Sequence, residues 1–554
     1  MSRPREPSRR DQNEKAAGDS PRTVLAWYGP FFLLVFLVGC VQIEDPDIWW
    51  HLRTGQLIWE GGRLPRTDWF TYTNPDSPWI DLHWGFQLLA ALLWKVGGAP
   101  ALVITKSLFA AATFALAMLA GRRAWPAWQT VACWLPAVLI FSGRNQVRPE
   151  MFSLLILAGE LAILFHARAR PRLLWLLPPA QVIWINVHGL YILGLVLWGC
   201  FLAGEILRTV VRHEPAAGTQ AGIPASHWVL VSFLMVGAAI VNPYGLDGAL
   251  FPFTLLKRIE GADHAFYTQF SGEFRGMSEF LATYGWAGAL RNLTTLTMLL
   301  LAVATGLSFV PRFLRAQFDL YRMLVFGLFA WLAWQANRNA VLFALVSATV
   351  LRANLGEWLE GRRDGRRRFS LGPVLTASFL GVLIFCVPFD LLSVTRPAEI
   401  PRLFGVGEIP RAFPHEAARF LGRDGMPRRC YALDEGAAAV YTFHNAPQRL
   451  VFADARLEVN TRETLERYLA IERQLMDGDE RVFDALAEGA ERGIDQEAEV
   501  PSLLISLRYL AANRELQHGL AKLKRFRRVY VDYVAVAFVE ASQAEVLGLP
   551  EVTE

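Results

Sequence analysis

The residues best placed for chemistry stand directly after the first long apolar run, in Glu44-Asp45-Pro46-Asp47-Ile48-Trp49-Trp50-His51-Leu52-Arg53-Thr54-Gly55. Carboxylates at a membrane surface pay a desolvation cost when charged, so one of them can be poised as a base, and Asp45 with Asp47 could reach a single divalent cation. Two acids without a third are a weak metal signal. The same residues also suit helix capping, with Asp47 ahead of Ile48 and Pro46 fixing the turn. Asp68, in Arg66-Thr67-Asp68-Trp69, and the pair Asp81 and His83, in Trp79-Ile80-Asp81-Leu82-His83-Trp84, add acids and an imidazole to the same segment. Thr67 and Asp68 are also turn formers, and His83 fits an interface anchor beside Trp84 as well as it fits a ligand or base.

Three further short segments set polar residues between apolar runs. They hold Arg144, Arg148 and Glu150 (Ser142 to Glu150), His188 (Trp184-Ile185-Asn186-Val187-His188-Gly189) and Arg338 (Ala336-Asn337-Arg338-Asn339). Guanidinium groups bind phosphate with bidentate geometry, so arginines at head-group level suit a phosphate-bearing lipid. Snorkelling to the interface accounts for any one of these arginines alone, but not for their coincidence with Glu150 and His188 on one side.

The elements that must position these residues are membrane helices. The chain has 554 residues, 53% hydrophobic and 19% charged, with 19 Trp and 36 Phe, whereas soluble chains carry about 25% charged residues. Apolar runs near 24–43, 101–120, 127–143, 150–166, 172–186, 189–207, 228–243, 292–310, 319–335, 339–355 and 371–391 predict about eleven spans. Basic residues cluster at alternate ends: Arg22; Arg122 and Arg123; Arg168, Arg170 and Arg172; Arg208 and Arg212; Arg312 and Arg315; and the run Arg362 to Arg368. By the positive-inside rule that side is the cytoplasm, and a formal net charge of +4 deployed this way points to no nucleic-acid partner. Residues 1–22 read as a disordered cytoplasmic tail followed by a retained signal anchor. Cys40, Cys133, Cys200 and Cys386 lie inside apolar runs and Cys430 in a polar region, too scattered for a disulfide framework or a zinc site.

The opposite side receives a loop over 44–98, in which Ile48 to Trp59 and Trp84 to Val96 predict helices along the interface. It also receives the loop from Asn242 to Arg291 and everything after about Ser393. From 393 to 554 the composition is that of a small soluble α/β domain. Short apolar runs (Cys430 to Leu433, Leu450 to Ala453, Leu503 to Ile505, Val529 to Val539) alternate with charged helical stretches (Thr461 to Met476, Leu507 to Leu523). Asp434, Asp454 and Arg456 read as turn and surface groups. Neither a dinucleotide fingerprint nor a P-loop occurs, and no repeat of fixed period.

This arrangement resembles the integral-membrane C-type glycosyltransferases, whose relatives include protein O-mannosyltransferases, aminoarabinose transferases and oligosaccharyltransferases. The resemblance rests on Asp45-Pro46-Asp47 in the first outer loop, Arg148-Pro149-Glu150 before the fourth span, and His83-Trp84 closing the loop. The wider set Asp-x-Asp-x-Trp-Trp-His-Leu-x-x-Gly, Arg-Pro-Glu, Trp-x-Asn-x-His-Gly and Asn-Pro-Tyr-Gly is similar to a bacterial branch of these enzymes. It covers about residues 24 to 392, and departs from better-known relatives in Glu150, where Asp is commoner, and in the C-terminal domain. The resemblance implies an α-helical polytopic protein of the inner membrane, with its N-terminus cytoplasmic and its C-terminal α/β domain extracytoplasmic. It also implies inverting transfer of a sugar from a polyprenyl-phosphate donor. Asp47, then Asp45, would serve as catalytic acids, and His51, Asp68, Asp81, His83, Arg144, Arg148, Glu150, His188 and Arg338 would bind substrate, Arg148 and Arg338 at the leaving phosphate. No cofactor is assigned, a divalent cation is left open, and the acceptor is unspecified. The competing classes are a lipid-linked glycan ligase or polymerase, a transporter, which would want ionisable residues at mid-membrane, and a non-enzymatic scaffold. Lys106, Glu160 and Glu205, the nearest such residues, read as structural.

Overall fold

Apolar runs separated by Pro, Gly and basic residues become helices along most of the chain. The computed structural model describes residues 19–120, 125–212, 225–259, 264–270, 274–315, 318–360, 371–392, 402–488 and 499–552. Residues 1–18 of the expected tail, Arg122 and Arg123, and the run Arg362 to Arg368 lie outside the described residues. Pro21 and Arg22 already belong to the first helix, Pro21–Gly39, whose N-terminus is capped by Ser20. The chain forms two compact units, one from Met1–Val41 and Val103–Val406, the other from Gln42–Leu102 and Gly407–Glu554.

In the first unit, helical segments occupy each expected span position, but they differ in length. Among the described residues six helices, counting one shared with the second unit, are long and apolar enough to cross a membrane: Pro21–Gly39, Trp84–Leu119, Gly189–Val210, Leu293–Phe313, Asn337–Leu359 and Gly372–Phe389. Others are shorter, such as the 15-residue Ala127–Phe141 and the 17-residue Glu150–His166, which rise about 22–26 Å against a hydrocarbon core of roughly 30 Å. The span Asn337–Leu359 is 83% buried and Gly372–Phe389 only 22%, so the first is a central helix. The second turns Leu375, Phe379, Val382 and Phe385 outward, a face suited to lipid. The stretch from Asn242 to Arg291, expected as a loop, holds the helices Gly245–Ile259, His264–Phe270 and Met277–Arg291. Their apolar content is spaced around whole turns and never long enough to register as a span.

The second unit is built on a five-stranded sheet. Strands β1 (Arg429–Ala432), β2 (Leu450–Val451), β3 (Ser502–Ser506), β4 (Phe526–Val531) and β5 (Ala535–Glu540) lie in the order β2-β1-β3-β5-β4. The first three run parallel, and β5 and β4 antiparallel. All residues of β1 and β3 are buried, as befits strands covered on both faces. The early segment of the chain is part of this fold: Thr71 bridges Val451 in parallel, with Tyr72 N–H to Val451 O at 3.0 Å and Val451 N–H to Phe70 O at 2.9 Å. The sheet's β2 edge is thereby covered. The helix Asp47–Gly61, expected along the membrane interface, is packed into this unit. Trp49 is fully buried among Trp94, Phe413, His415 and Phe443, with ring centroids 4.5–5.4 Å away. A Cβ on Gly55 would stand 2.1 Å from the Gln87 carbonyl oxygen, so only glycine lets this helix meet the one beginning at Trp84. That second helix breaks at Gly97 and Gly98, the latter at φ 58°.

Candidate active site

In the second unit the Asp45 carboxylate accepts the Asp47 N–H at 3.1 Å. Asp45, not Asp47, therefore caps the helix, and the Asp47 side chain, in the first turn and half-buried, is left for other work. It accepts from the Trp50 indole N–H at 3.4 Å. On the next strip of the same helix, His51 is buried and its Nδ1 lies 3.3 Å from Gln87 Nε2. That amide also donates to Asp81 Oδ1 at 3.2 Å. Asp81 has no exposed surface, receives the His83 N–H at 3.0 Å and holds His83 Nδ1 at 3.3 Å. The His51 and His83 ring centroids are 5.6 Å apart. Burial pulls the His83 pKa down, but the hydrogen bond and charge of Asp81, with the charges of Glu458 and Asp47, outweigh it and hold the imidazole above the usual histidine value. Burial pushes the Glu458 carboxyl up, and the charge of His83 opposes it. The helix N-terminus at Asp47 thus stands among paired carboxylates and imidazoles that can take or hold a proton.

Asp68 has a different setting. Its carboxylate accepts from the Phe70 N–H at 3.1 Å and the Thr71 N–H at 3.0 Å, and also from the Thr71 hydroxyl. It pairs with Arg456 at 2.6 Å, and Arg456 pairs with Asp454 at 2.7 Å. The Asp68 and Arg456 side chains have no exposed surface, so Asp454 and Arg456 are interior groups, not the surface groups expected from the sequence. Burial works against the guanidinium charge, and the two carboxylates overcome it and keep Arg456 charged. Its guanidinium lies over the Trp79, Phe70 and Trp50 rings at 4.4, 4.7 and 6.0 Å. Through Trp50 it backs the indole that donates to Asp47.

In the first unit, Arg144 Nε pairs with Glu150 Oε2 at 2.9 Å, and Arg148 lines the same narrow cleft with Lys106. Glu150 opens its helix, where a carboxylate is favoured by the helix dipole. Lys106, read from the sequence as structural, is buried and donates to the Val41 carbonyl at 3.1 Å. One turn along the helix from Glu150, Ser153 Oγ is 2.7 Å from His188 Nδ1 and accepts from the Trp184 indole at 2.6 Å. Arg338 lies 4.5 Å over the Phe274 ring, a different set of neighbours.

The expected site residues therefore fall into two sets: Asp45, Asp47, His51, Asp68, Asp81 and His83 in one unit, and Arg144, Arg148, Glu150, His188 and Arg338 in the other. Gln87, Glu458 and Arg456 were missed. Gln87 had a visible signal, a lone amide in the apolar run Trp84-Gly85-Phe86-Gln87-Leu88-Leu89, whereas Arg456 meets Asp68 across 388 residues. Among the described residues no group of three or more His, Cys, Asp or Glu side chains is placed to hold a metal ion.

No family model matches the sequence, and no curated protein does. Solved structures do match. The apo crystal structure of the Archaeoglobus fulgidus oligosaccharyltransferase aligns at TM-score 0.54 and 12% identity over 93% of this chain and 74% of that one. The same enzyme complexed with Zn and sulfate aligns at TM-score 0.55 and 12% identity, over 94% and 74%. At that identity the likeness is one of fold: this chain is similar in architecture to that archaeal oligosaccharyltransferase.

Proposed function

We propose that this protein is a membrane glycosyltransferase that moves a sugar from a polyprenyl-phosphate donor to an acceptor hydroxyl or amine on the outer side of the cytoplasmic membrane. The observation that carries the reading is Asp47: in a chain with an oligosaccharyltransferase-like fold, it is a half-buried carboxylate freed from capping by Asp45 and steadied by Trp50. Asp47 takes the proton of the acceptor as the acceptor's lone pair forms the new bond to the anomeric carbon. The bond from that carbon to the phosphate oxygen breaks, and the lipid phosphate leaves with the electron pair. Arg148, with Arg338 as a second guanidinium, binds the charge that develops on the phosphate, an effect worth several kcal/mol where water is excluded. Glu150 and His188 orient the donor, the first through Arg144 and the second through Ser153. Asp81 holds His83 in place to relay or store the proton. No step is routed through a metal, because the described residues gather no three-ligand set.

The test is turnover of a panel of short polyprenyl-phosphate sugars by purified wild type and Asp47→Asn, with the lipid product followed by mass spectrometry. Free polyprenyl phosphate from wild type alone, with donor binding retained by Asp47→Asn, is the expected result; Asp45→Asn, which loosens the cap, loses less activity. Equal, full turnover by both variants refutes the role of these acids. Binding of diphosphate-linked but no monophosphate-linked sugars refutes the donor.

A further inference from the structure

Glu160 lies within the helix Glu150–His166, about 15 Å along it from Glu150 at 1.5 Å per residue. From the sequence it reads as structural. It is 1% exposed, and among the described residues neither of its carboxylate oxygens has a hydrogen-bond partner. Beside it, on the helix Leu177–Ile185, is Gln181, which has no exposed surface and whose Nε2 donates to the Tyr191 carbonyl at 2.8 Å. That bond fixes the amide, because a flip would set Oε1 against the Tyr191 oxygen. Gln181 Oε1 also lacks a donor among the described residues.

The third wall is Gly194, in the first turn of the helix Ile192–Arg212. A Cβ there would stand 2.3 Å from Gln181 Oε1, 2.9 Å from Glu160 Oε2 and 3.1 Å from Glu160 Oε1. Three acceptor oxygens therefore gather at one notch, and glycine is the residue that leaves room for them. Groups on the surrounding helices bond elsewhere: His188 to Ser153, Glu205 to Arg168, Arg352 to the Met118 carbonyl, and the Tyr191 hydroxyl to the Ala249 carbonyl. Tyr321 is within range of the Glu160 charge, yet its hydroxyl gives Glu160 no hydrogen bond. A carboxylate buried without a donor is costly, and acceptors that face one another are held together by a positive charge between them. One carboxylate balances one such charge, whereas a divalent ion would leave a net charge in apolar surroundings.

We propose that Glu160, Gln181 and the notch at Gly194 form a binding site for one small monovalent cation inside the helical bundle. The cation is either a proton, carried by a Glu160 oxygen and donated to Gln181 Oε1, or a dehydrated alkali-metal ion shared by the three oxygens. Both put the same charge at the same place, and the experiment separates them. None of these residues belongs to the proposed active-site sets, so the site is independent of the transfer chemistry.

The test is infrared difference spectroscopy of the full chain in detergent, wild type against Glu160→Gln, first with choline as the only added cation and then with Na+, K+ or Li+ at the same ionic strength. The NH2 of the variant supplies its own donor to Gln181 Oε1, so the variant is expected to fold. A carboxylic-acid C=O band present in wild type and missing from the variant is expected in choline. If no alkali salt changes that band, the ion is a proton. If one of them replaces it with a carboxylate band, weakening it about ten-fold at about ten times the ion's Kd, the site takes that alkali ion. A carboxylate band in choline with one Na+ or K+ retained per chain, by elemental analysis, identifies an alkali ion as well. The same band with no retained alkali ion means an uncompensated charge and overturns the proposal. Gln181→Met removes the acceptor and is expected to shift the C=O band; a band that it leaves in place makes Glu160 a lone acid and also overturns the proposal. Should Glu160→Gln not fold, wild type alone decides. Dicyclohexylcarbodiimide modifies buried carboxyls that carry a proton, and an adduct located at Glu160 by peptide mass spectrometry supports the site, while an unmodified Glu160 in a chain without retained alkali ion overturns it.

Discussion

Replacing Asp68 by Asn keeps the side chain's shape and removes its charge. In the structure one carboxylate oxygen serves Arg456 at 2.6 Å and the Phe70 N–H, while the other serves the Thr71 N–H at 3.0 Å and the Thr71 hydroxyl. An amide has one acceptor oxygen, so Asn must turn an NH2 toward either a guanidinium or a backbone N–H. With both partners at zero exposure, breaking such a buried pair costs about 3–5 kcal/mol. Asp454 still holds Arg456, which favours the lower figure. For a folded unit of about 200 residues, each kcal/mol lowers the melting temperature by ~2–4 °C, so the expected drop is about 6–12 °C. Tryptophan fluorescence of the detergent-solubilised chain reports it, because Trp50 and Trp79 lie against Arg456. Arg456→Met should be worse than Asp68→Asn, since it leaves two carboxylates buried together. The double variant should be at least ~1 kcal/mol more stable than the sum of the singles predicts. A shift under about 2 °C for Asp68→Asn, or additive effects, would show that the triad does not hold this unit together.

Gly55→Ala should cost ~1–3 kcal/mol or more, because the new methyl meets the Gln87 backbone at 2.1 Å; a melting temperature equal to wild type would refute the close approach. Burial, then the charges of His415, Arg419 and Arg53, hold the His444 pKa down to about 3, while an unfolded histidine titrates near 6.5. As pH falls from about 6.5 toward 3 the unfolded chain takes up a proton that the fold refuses, so stability should fall by up to ~1.4 kcal/mol per pH unit. His444→Gln should flatten that slope in acid denaturation. His83 has the opposite sign: its raised pKa contributes stability that is complete below about pH 6.5 and lost as pH rises through the folded value. The stability difference between wild type and His83→Gln should therefore be largest in mild acid and shrink in alkali.

The apolar helices of the first unit were readable in position because long apolar runs leave few alternatives, whereas Gly245–Ile259, His264–Phe270 and Met277–Arg291 lay in a stretch that reads as a loop. The strands were read well where they are wholly buried, as at Cys430 and Leu503. The run Val529 to Val539, read as one strand, is two antiparallel strands joined at a turn that carries no Asn-Gly or Gly-Gly pair. Asp532 makes it, accepting the Val534 and Ala535 N–H groups at 2.7 and 2.8 Å. The stretch Leu507 to Leu523 likewise divides at Asn513, which caps a new helix. The acids of the candidate site stood out by type and place, but their roles were not legible. Which of Asp45 and Asp47 caps depends on one hydrogen bond, and Arg456 owes its burial to a partner almost four hundred positions earlier. A truncation near residue 395 would consequently leave Asp68 without Arg456 and Thr71 without its bridge to Val451.

The second unit draws on residues 42–102 and 407–554, with about three hundred residues made between them. At a synthesis rate of ~5–20 residues per second, Asp68, Trp79 and the strand-like Phe70–Tyr72 must wait ~20–80 s for Arg456 and β2, almost four hundred residues later, to be made. During that interval a row of unpaired backbone and several large indoles stand without their cover. Such a chain needs either a chaperone on that face or a transient perch for the early segment. Its nascent form should be far more prone to proteolysis than the finished protein.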